Sequence, residues 1–261
     1  MSVKTVNLWE NAPGEYEKVP TMDIYIPEKK TTDLAIVVLP GGAYQFLASH
    51  EGQGYAEFLN EHGITAFVLS YRVNPYHFPL PLLDARRAMR YVRYHSTEFG
   101  IDKNQIYIMG SSAGGHLAAL TSTFHQPIEF ENVDEIDKES FRPNGQILCY
   151  PVIALLGKGL AHLGSGTNLL GERHAYMGEE LSPHLIADST APRAFIWHTF
   201  QDRGVPAVNS LLYAKRLIEN GVNTELHIYP QGPHGKGLAQ DLPHTQNWTR
   251  ELLEWLYLDN I

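Results

Sequence analysis

Ser112, Asp202 and His234 are the three side chains of this sequence whose types and settings suit covalent chemistry. Ser112 is the centre of Gly110-Ser111-Ser112-Ala113-Gly114, a G-x-S-x-G pattern in which the serine occupies a sharp strand-to-helix corner that projects its hydroxyl out of a sheet. Strand and helix pass so closely at such a corner that side chains two positions either side of the serine collide, a clash that Gly110 and Gly114 avoid. Ser111 is not framed in this way. A hydroxyl is a weak nucleophile at neutral pH, so it needs a base that takes its proton on attack and returns it to the leaving group, the role His234 fits. A carboxylate must then hold the imidazole in the right tautomer and stabilise the cation that forms, the role Asp202 fits. A glycine-rich helix start that caps itself or binds an anion is the competing reading of the serine corner taken alone.

The chain has thirteen histidines, so His234 has to be separated from the others. His198 and His227 fall inside predicted strands and read as hydrogen-bonded structural residues, and His244 opens the last predicted helix. Only His234 lies on the loop after the final strand, between glycines that leave it room to reach Ser112. His50, His62 and His77 lack the paired spacing on a common element that a metal site needs, so neither a metal nor a cofactor is expected.

The elements that must position these groups follow from the apolar pattern. Ile106, Ile108 and Met109 are β-formers before the serine corner, and His116 to Leu120 continue as a helix after it. Residues 34–39 form an unbroken apolar run of the kind buried on both faces. It ends in Pro40-Gly41-Gly42-Ala43-Tyr44, where two glycines let backbone N–H groups turn inward; an ordinary tight turn is the alternative. Further strands are predicted at 22–26, 64–71, 146–151, 193–200 and 224–229, and helices at 52–63, 82–98, 207–220 and 245–258. Alternating β and α without an internal repeat predicts a single α/β domain over 1–261, a mostly parallel central sheet with helices on both faces. Function in such sheets sits at the carboxyl ends of the strands. The chain order serine, acid, histidine is that of the α/β-hydrolase fold. The residue after the nucleophile, Ala113, and the glycine loop after the apolar strand then supply the oxyanion hole.

Two regions carry weaker expectations. The glycine-rich segment from 152 to 190 lacks a strong period and reads as a small lid or specificity insertion after the strand ending near Pro151, or as a surface excursion. On the helix at 82–98, Arg86, Arg90 and Arg93 read as a solvated face pairing with nearby acids, Asp84 as serving the helix start, and the acidic loop 134–139 as solvated.

With 261 residues, 43% apolar and 19% charged, the chain can build one sizeable core. A formal charge of −9 argues against nucleic acid or an anionic membrane surface as partner. The single cysteine, Cys149, cannot form an internal disulfide, and no apolar run suits a secretion signal or a membrane span, so a soluble, cytoplasmic protein is expected. A homodimer is compatible with the sequence.

Several stretches in combination resemble one family across nearly the whole chain. They are Leu39-Pro-Gly-Gly-Ala-Tyr44, the run from Pro81 to Arg90, Gly110 to His116, His162 with Gly164-Ser165 and Leu169-Leu-Gly171, Asp202 to Pro206, Gly232-Pro-His-Gly235, and Trp248 with Trp255. The chain resembles the acetyl xylan esterase-like (xylanase-like) α/β-hydrolases, within the hormone-sensitive lipase-like group. That resemblance implies deacetylation of carbohydrate esters such as xylo-oligosaccharides through Ser112, Asp202 and His234, with Gly41, Gly42 and Ala113 as oxyanion donors. Pro40-Gly41-Gly42-Ala43 stands where lipase relatives have His-Gly-Gly-Gly, which favours the sugar-esterase branch. Tyr44, directly after that loop, is the one expected substrate contact. An arylformamidase or other small-ester or amide hydrolase is the alternative enzyme, and a noncatalytic carbohydrate-binding protein the alternative class.

Overall fold

In the computed structural model of the chain, which describes residues 3–13, 19–129 and 134–258, eight strands form one sheet in the order β1-β2-β4-β3-β5-β6-β7-β8. They are β1 Val3–Asn7, β2 Thr21–Tyr25, β3 Ala35–Leu39, β4 Thr65–Ser70, β5 Ile106–Ser111, β6 Gly145–Cys149, β7 Arg193–Thr199 and β8 Thr224–Tyr229. β2 runs antiparallel to both of its neighbours, β1 and β4, and every other pairing is parallel. The helices are α1 Gln53–Glu61, α2 Leu80–Tyr94, α3 Ser96–Phe99, α4 Ala113–Thr123, α5 Leu163–Leu170, α6 His174–Met177, α7 Pro183–Ile186, α8 Val208–Glu219 and α9 Trp248–Tyr257.

Successive strand residues point to opposite faces, so Ile108 and Met109 of β5 enter different apolar layers. Ile108 joins Met89, Leu117 and Leu217 from α2, α4 and α8. Met109 joins Tyr55 and Leu59 of α1 and Trp248, Leu252 and Trp255 of α9. Both faces of the sheet are therefore covered, which is why β3 and β5 are buried along their whole length.

Register delivers the loops to one edge. Leu39 pairs with Gly110, placing the glycine loop after β3 beside the serine corner. Thr199 pairs with Tyr229, so the loops carrying Asp202 and His234 leave the sheet at the same level.

Three sequence expectations are corrected. Arg86, Arg90 and Arg93 are buried, as is Arg87. A guanidinium carries five donors, and these tie off carbonyls that the loops would otherwise leave unpaired: Arg86 bonds the Phe124 and Gln126 oxygens, and Arg93 those of Lys103, Ser140 and Arg142. Arg87 pairs with Asp134 at 2.6 Å and with buried Asp137 at 2.9 Å, so the acidic loop is a partner of α2 and not free in solvent. Asp84 does not cap α2; it is fully buried and forms a bidentate pair with Arg72, Nη2 to Oδ1 at 2.6 Å. The segment 152–190 contains α5, α6 and α7, which Gly164 and Gly166 conceal from a periodicity reading. β1 was not expected either: it is a mostly exposed edge strand and has no apolar face to betray it.

Candidate active site

Ser112 occupies the corner between β5 and α4 with φ 53° and ψ −118°, a strained conformation for a residue with a side chain. The flanking glycines make the corner possible. A Cβ on Gly110 would lie 2.1 Å from the Gly114 oxygen, and one on Gly114 would lie 2.1 Å from the Leu39 oxygen. Backbone bonds hold the corner in place, Ser112 N–H to the Cys149 oxygen at 3.0 Å and Val152 N–H to the Ser112 oxygen at 3.0 Å.

The hydroxyl does not stand alone. Ser112 Oγ lies 2.7 Å from His234 Nε2, and His234 Nδ1 lies 2.6 Å from Asp202 Oδ2. Asp202 is buried. Burial by itself raises its pKa, but hydrogen bonds from His198 and His234, with the charge of His234, outweigh that and hold the carboxyl well below its ordinary range. An ionised carboxylate only accepts hydrogen bonds. His234 therefore donates Nδ1–H to Asp202 and keeps the Nε2 lone pair for the Ser112 proton. The other oxygen, Oδ1, accepts the N–H groups of Gly204 at 2.9 Å and Val205 at 2.8 Å.

His198 has a part that the sequence did not disclose. Its Nε2 lies 2.8 Å from the Val205 oxygen, so it carries the proton, and the same nitrogen lies 3.2 Å from Asp202 Oδ2. It is structural, as expected, yet its structure serves the carboxylate.

Of the expected oxyanion donors, two are free and one is committed. Ala113 is the first residue of α4, where an N–H has no intrahelical acceptor. Gly42, at φ 128°, and Ala43, at φ 56°, follow β3 in the left-handed region, and their N–H groups meet no protein acceptor among the described residues. Gly41 N–H instead donates to Glu51 Oε2 at 2.8 Å, which takes it out of the donor set. Gly41 is glycine for space: a Cβ there would lie 2.4 Å from Glu51 Oε2 and 3.0 Å from Ser112 Cβ.

Glu51 itself escaped the sequence reading, because an acid just before a helix looks like any surface carboxylate. Here it is 2% exposed, and its Oε1 accepts the Tyr150 hydroxyl at 2.7 Å. Tyr150 in turn accepts Gly237 N–H at 2.8 Å and packs edge-on against the His234 ring. One buried carboxylate thus ties the glycine loop to the histidine loop.

These groups open on a cavity of about 240 Å³ lined by Gly42, Ala43, Phe46, Ser112, His162 and His234, among others. A larger cleft of about 480 Å³ runs along Trp9, Arg87 and Tyr91, but it holds no pairing of nucleophile and base.

Tyr44 is elsewhere. It is 0% exposed, its hydroxyl bonds His116 Nδ1 at 2.8 Å and its ring packs edge-on against Tyr71. The left-handed turn at Ala43 and Tyr44 drives the ring into the core, so it is not a substrate contact. Tyr44→Phe should leave kcat/KM within about threefold of wild type and cost about 1–2 kcal/mol in urea unfolding, the cost of an unpaired buried acceptor. A large rise in KM with unchanged stability would restore the substrate role.

His116 spans Tyr44 and the Leu181 oxygen, to which its Nε2 donates at 2.8 Å. Burial pushes its pKa down to about 4. The unfolded chain takes up this proton near pH 6.5 and the folded chain only near 4, so the stabilisation is complete above about 6.5 and is lost as pH falls toward 4. The interval corresponds to about 3 kcal/mol. Urea titrations from pH 7 to 4 should show a shallower loss in His116→Gln than in wild type; parallel curves would contradict this.

A family model described as BD-FAE matches residues 22–217. Endo-1,4-beta-xylanase B of Butyrivibrio fibrisolvens is 35% identical over 90% of this chain and 38% of its own length. An acetylxylan esterase of Xylanibacter ruminicola is 33% identical over 97% of this chain and 50% of its own. The chain thus spans half or less of the curated relatives it matches first. Among solved structures, the acetyl ester-xyloside bifunctional hydrolase from Caldicellulosiruptor lactoaceticus superposes with a TM-score of 0.89 at 43% identity, over 97% of this chain and 94% of that one. A match over most of the chain, on a mostly parallel sheet whose serine, acid and histidine leave one edge, means that the chain belongs to the BD-FAE family and has the α/β-hydrolase fold.

Proposed function

We propose that this chain is a serine esterase that removes short acyl groups, above all acetyl, from carbohydrates such as xylo-oligosaccharides. The observation that carries the reading is the unbroken hydrogen-bonded chain from Ser112 through His234 to Asp202, opening on a small cavity. Ser112 Oγ attacks the ester carbonyl as His234 Nε2 takes its proton, and Ala113 and Gly42 N–H, with Ala43 beside them, receive the negative charge on the oxygen. Collapse breaks the bond to the alcohol, which leaves with the proton from His234; water then repeats the sequence and frees the acid. Each amide donor lowers the barrier by about 3 kcal/mol.

The substrate class is supported by likeness to proteins named acetylxylan esterase and acetyl ester-xyloside hydrolase. A cavity of about 240 Å³ lies below the usual range for drug-sized ligands and suits a short acyl group. The β6–β7 segment, which brings His162 to the cavity, is the lid or specificity region of this proposal. Cytoplasmic action on imported oligosaccharides belongs to it too. Acetylated xylo-oligosaccharides compared with phenyl esters of acetate, butyrate and octanoate provide the test: acetyl should be cleaved fastest in kcat/KM, and fastest cleavage of octanoate would sink the deacetylase reading.

A further inference from the structure

His162 reaches the cavity from the segment between β6 and β7, on the residue that precedes α5. Its Nδ1 accepts the Ser165 N–H at 3.2 Å and lies 2.9 Å from Ser165 Oγ. A backbone N–H can only donate, so Nδ1 supplies the lone pair and the proton of the neutral ring sits on Nε2. Among the described residues no protein acceptor meets that Nε2–H. Burial first, and the adjacent His234 second, push the imidazole pKa below its ordinary value, so the ring is a neutral donor at neutral pH. Few polar groups in a binding pocket fix the orientation of what binds there, and this donor has nothing else to serve.

Its side of the cavity indicates which half of the ester it meets. His234 must hand a proton to the leaving oxygen, so the alcohol half lies against His234. His162 and His234 line the same cavity. A donor that shares the cavity wall with His234 is placed to meet the alcohol half.

We propose that His162 Nε2–H donates to a free hydroxyl oxygen neighbouring the acylated carbon, and so makes this site select esters of polyols over esters of simple alcohols. This rests on the esterase reading. Sugars carry such neighbouring hydroxyls, whereas aryl and alkyl alcohols do not.

Two esters that differ only in that hydroxyl supply the test: trans-2-hydroxycyclohexyl acetate and cyclohexyl acetate, each with wild type and His162→Asn. Asparagine is among the best N-cap residues and can still accept Ser165 N–H, but its shorter side chain withdraws the donor from the cavity. Wild type should favour the hydroxy ester by about tenfold in kcat/KM, the effect of one well-made hydrogen bond, mostly through KM. In His162→Asn that ratio should fall to near one. A merely structural role at the start of α5 lowers both rates together and leaves the ratio untouched, which would overturn the proposal, as would a wild-type ratio of one. If wild type cleaves neither ester, it is the esterase reading that fails.

Discussion

Ser112→Ala is expected to lower kcat on phenyl acetate by about 10⁵- to 10⁶-fold, because nucleophile and base act as a unit and loss of either removes the covalent route. The 2.7 Å contact with His234 Nε2 is the only side-chain hydrogen bond of Ser112 Oγ among the described residues, so the variant should fold as wild type does. His234→Ala should cost about as much, and the double variant little more. The rate that survives comes from the backbone donors and from binding, which neither substitution touches. A fluorophosphonate should label wild type once per chain and leave Ser112→Ala unlabelled. Labelling of the alanine variant, or activity within tenfold of wild type, would show that another hydroxyl carries the reaction, with Ser111 the nearest rival. Ser111 is a poor one: it is buried, its hydroxyl bonds that of Tyr55 at 2.8 Å, and it is not among the residues that line the cavity.

How much of this was legible in the sequence depends on the range of the interaction involved. Gly110 and Gly114 announce a close approach of backbones within five residues, and the 2.1 Å approach that a Cβ on Gly110 would make to the Gly114 oxygen is a local consequence of that spacing, whereas Gly114 also clears the Leu39 oxygen on β3. Asp202 and His234 are far apart in sequence, yet both directly follow β-forming runs, and parallel register turns "after a strand" into "at the same edge". Interactions without such a rule stayed hidden. The guanidinium of Arg93 serves carbonyls near residues 103 and 140–142, and nothing in α2 distinguishes it from a solvated arginine. Asp84 could not be assigned to Arg72, nor Glu51 to Gly41 and Tyr150, because each pairing exists only once loops have packed. Tyr44 failed for another reason: proximity along the chain to Gly42 says nothing about which way a left-handed turn sends the next side chain.

Asp202→Asn is expected to lower kcat by about 10⁴-fold while leaving the melting temperature near that of wild type. The two carboxylate oxygens have different duties, and the amide can fulfil only one of them. Oδ1 accepts two backbone N–H groups, from Gly204 and Val205, so the asparagine must place its carbonyl there. Its NH₂ then faces His234 and His198, where wild type has Oδ2. An NH₂ donates, so His234 Nδ1 is forced to accept and the ring proton moves to Nε2. A protonated Nε2 points a hydrogen at Ser112 Oγ and cannot take one from it, so the base is lost although every atom stays in place. Asp202→Ala separates the two duties, since it strands the Gly204 and Val205 N–H groups and should lose both activity and about 1–3 kcal/mol of stability. If Asp202→Asn keeps more than a tenth of wild-type kcat, the tautomer of His234 is set by some other group and the proposed role of Asp202 falls.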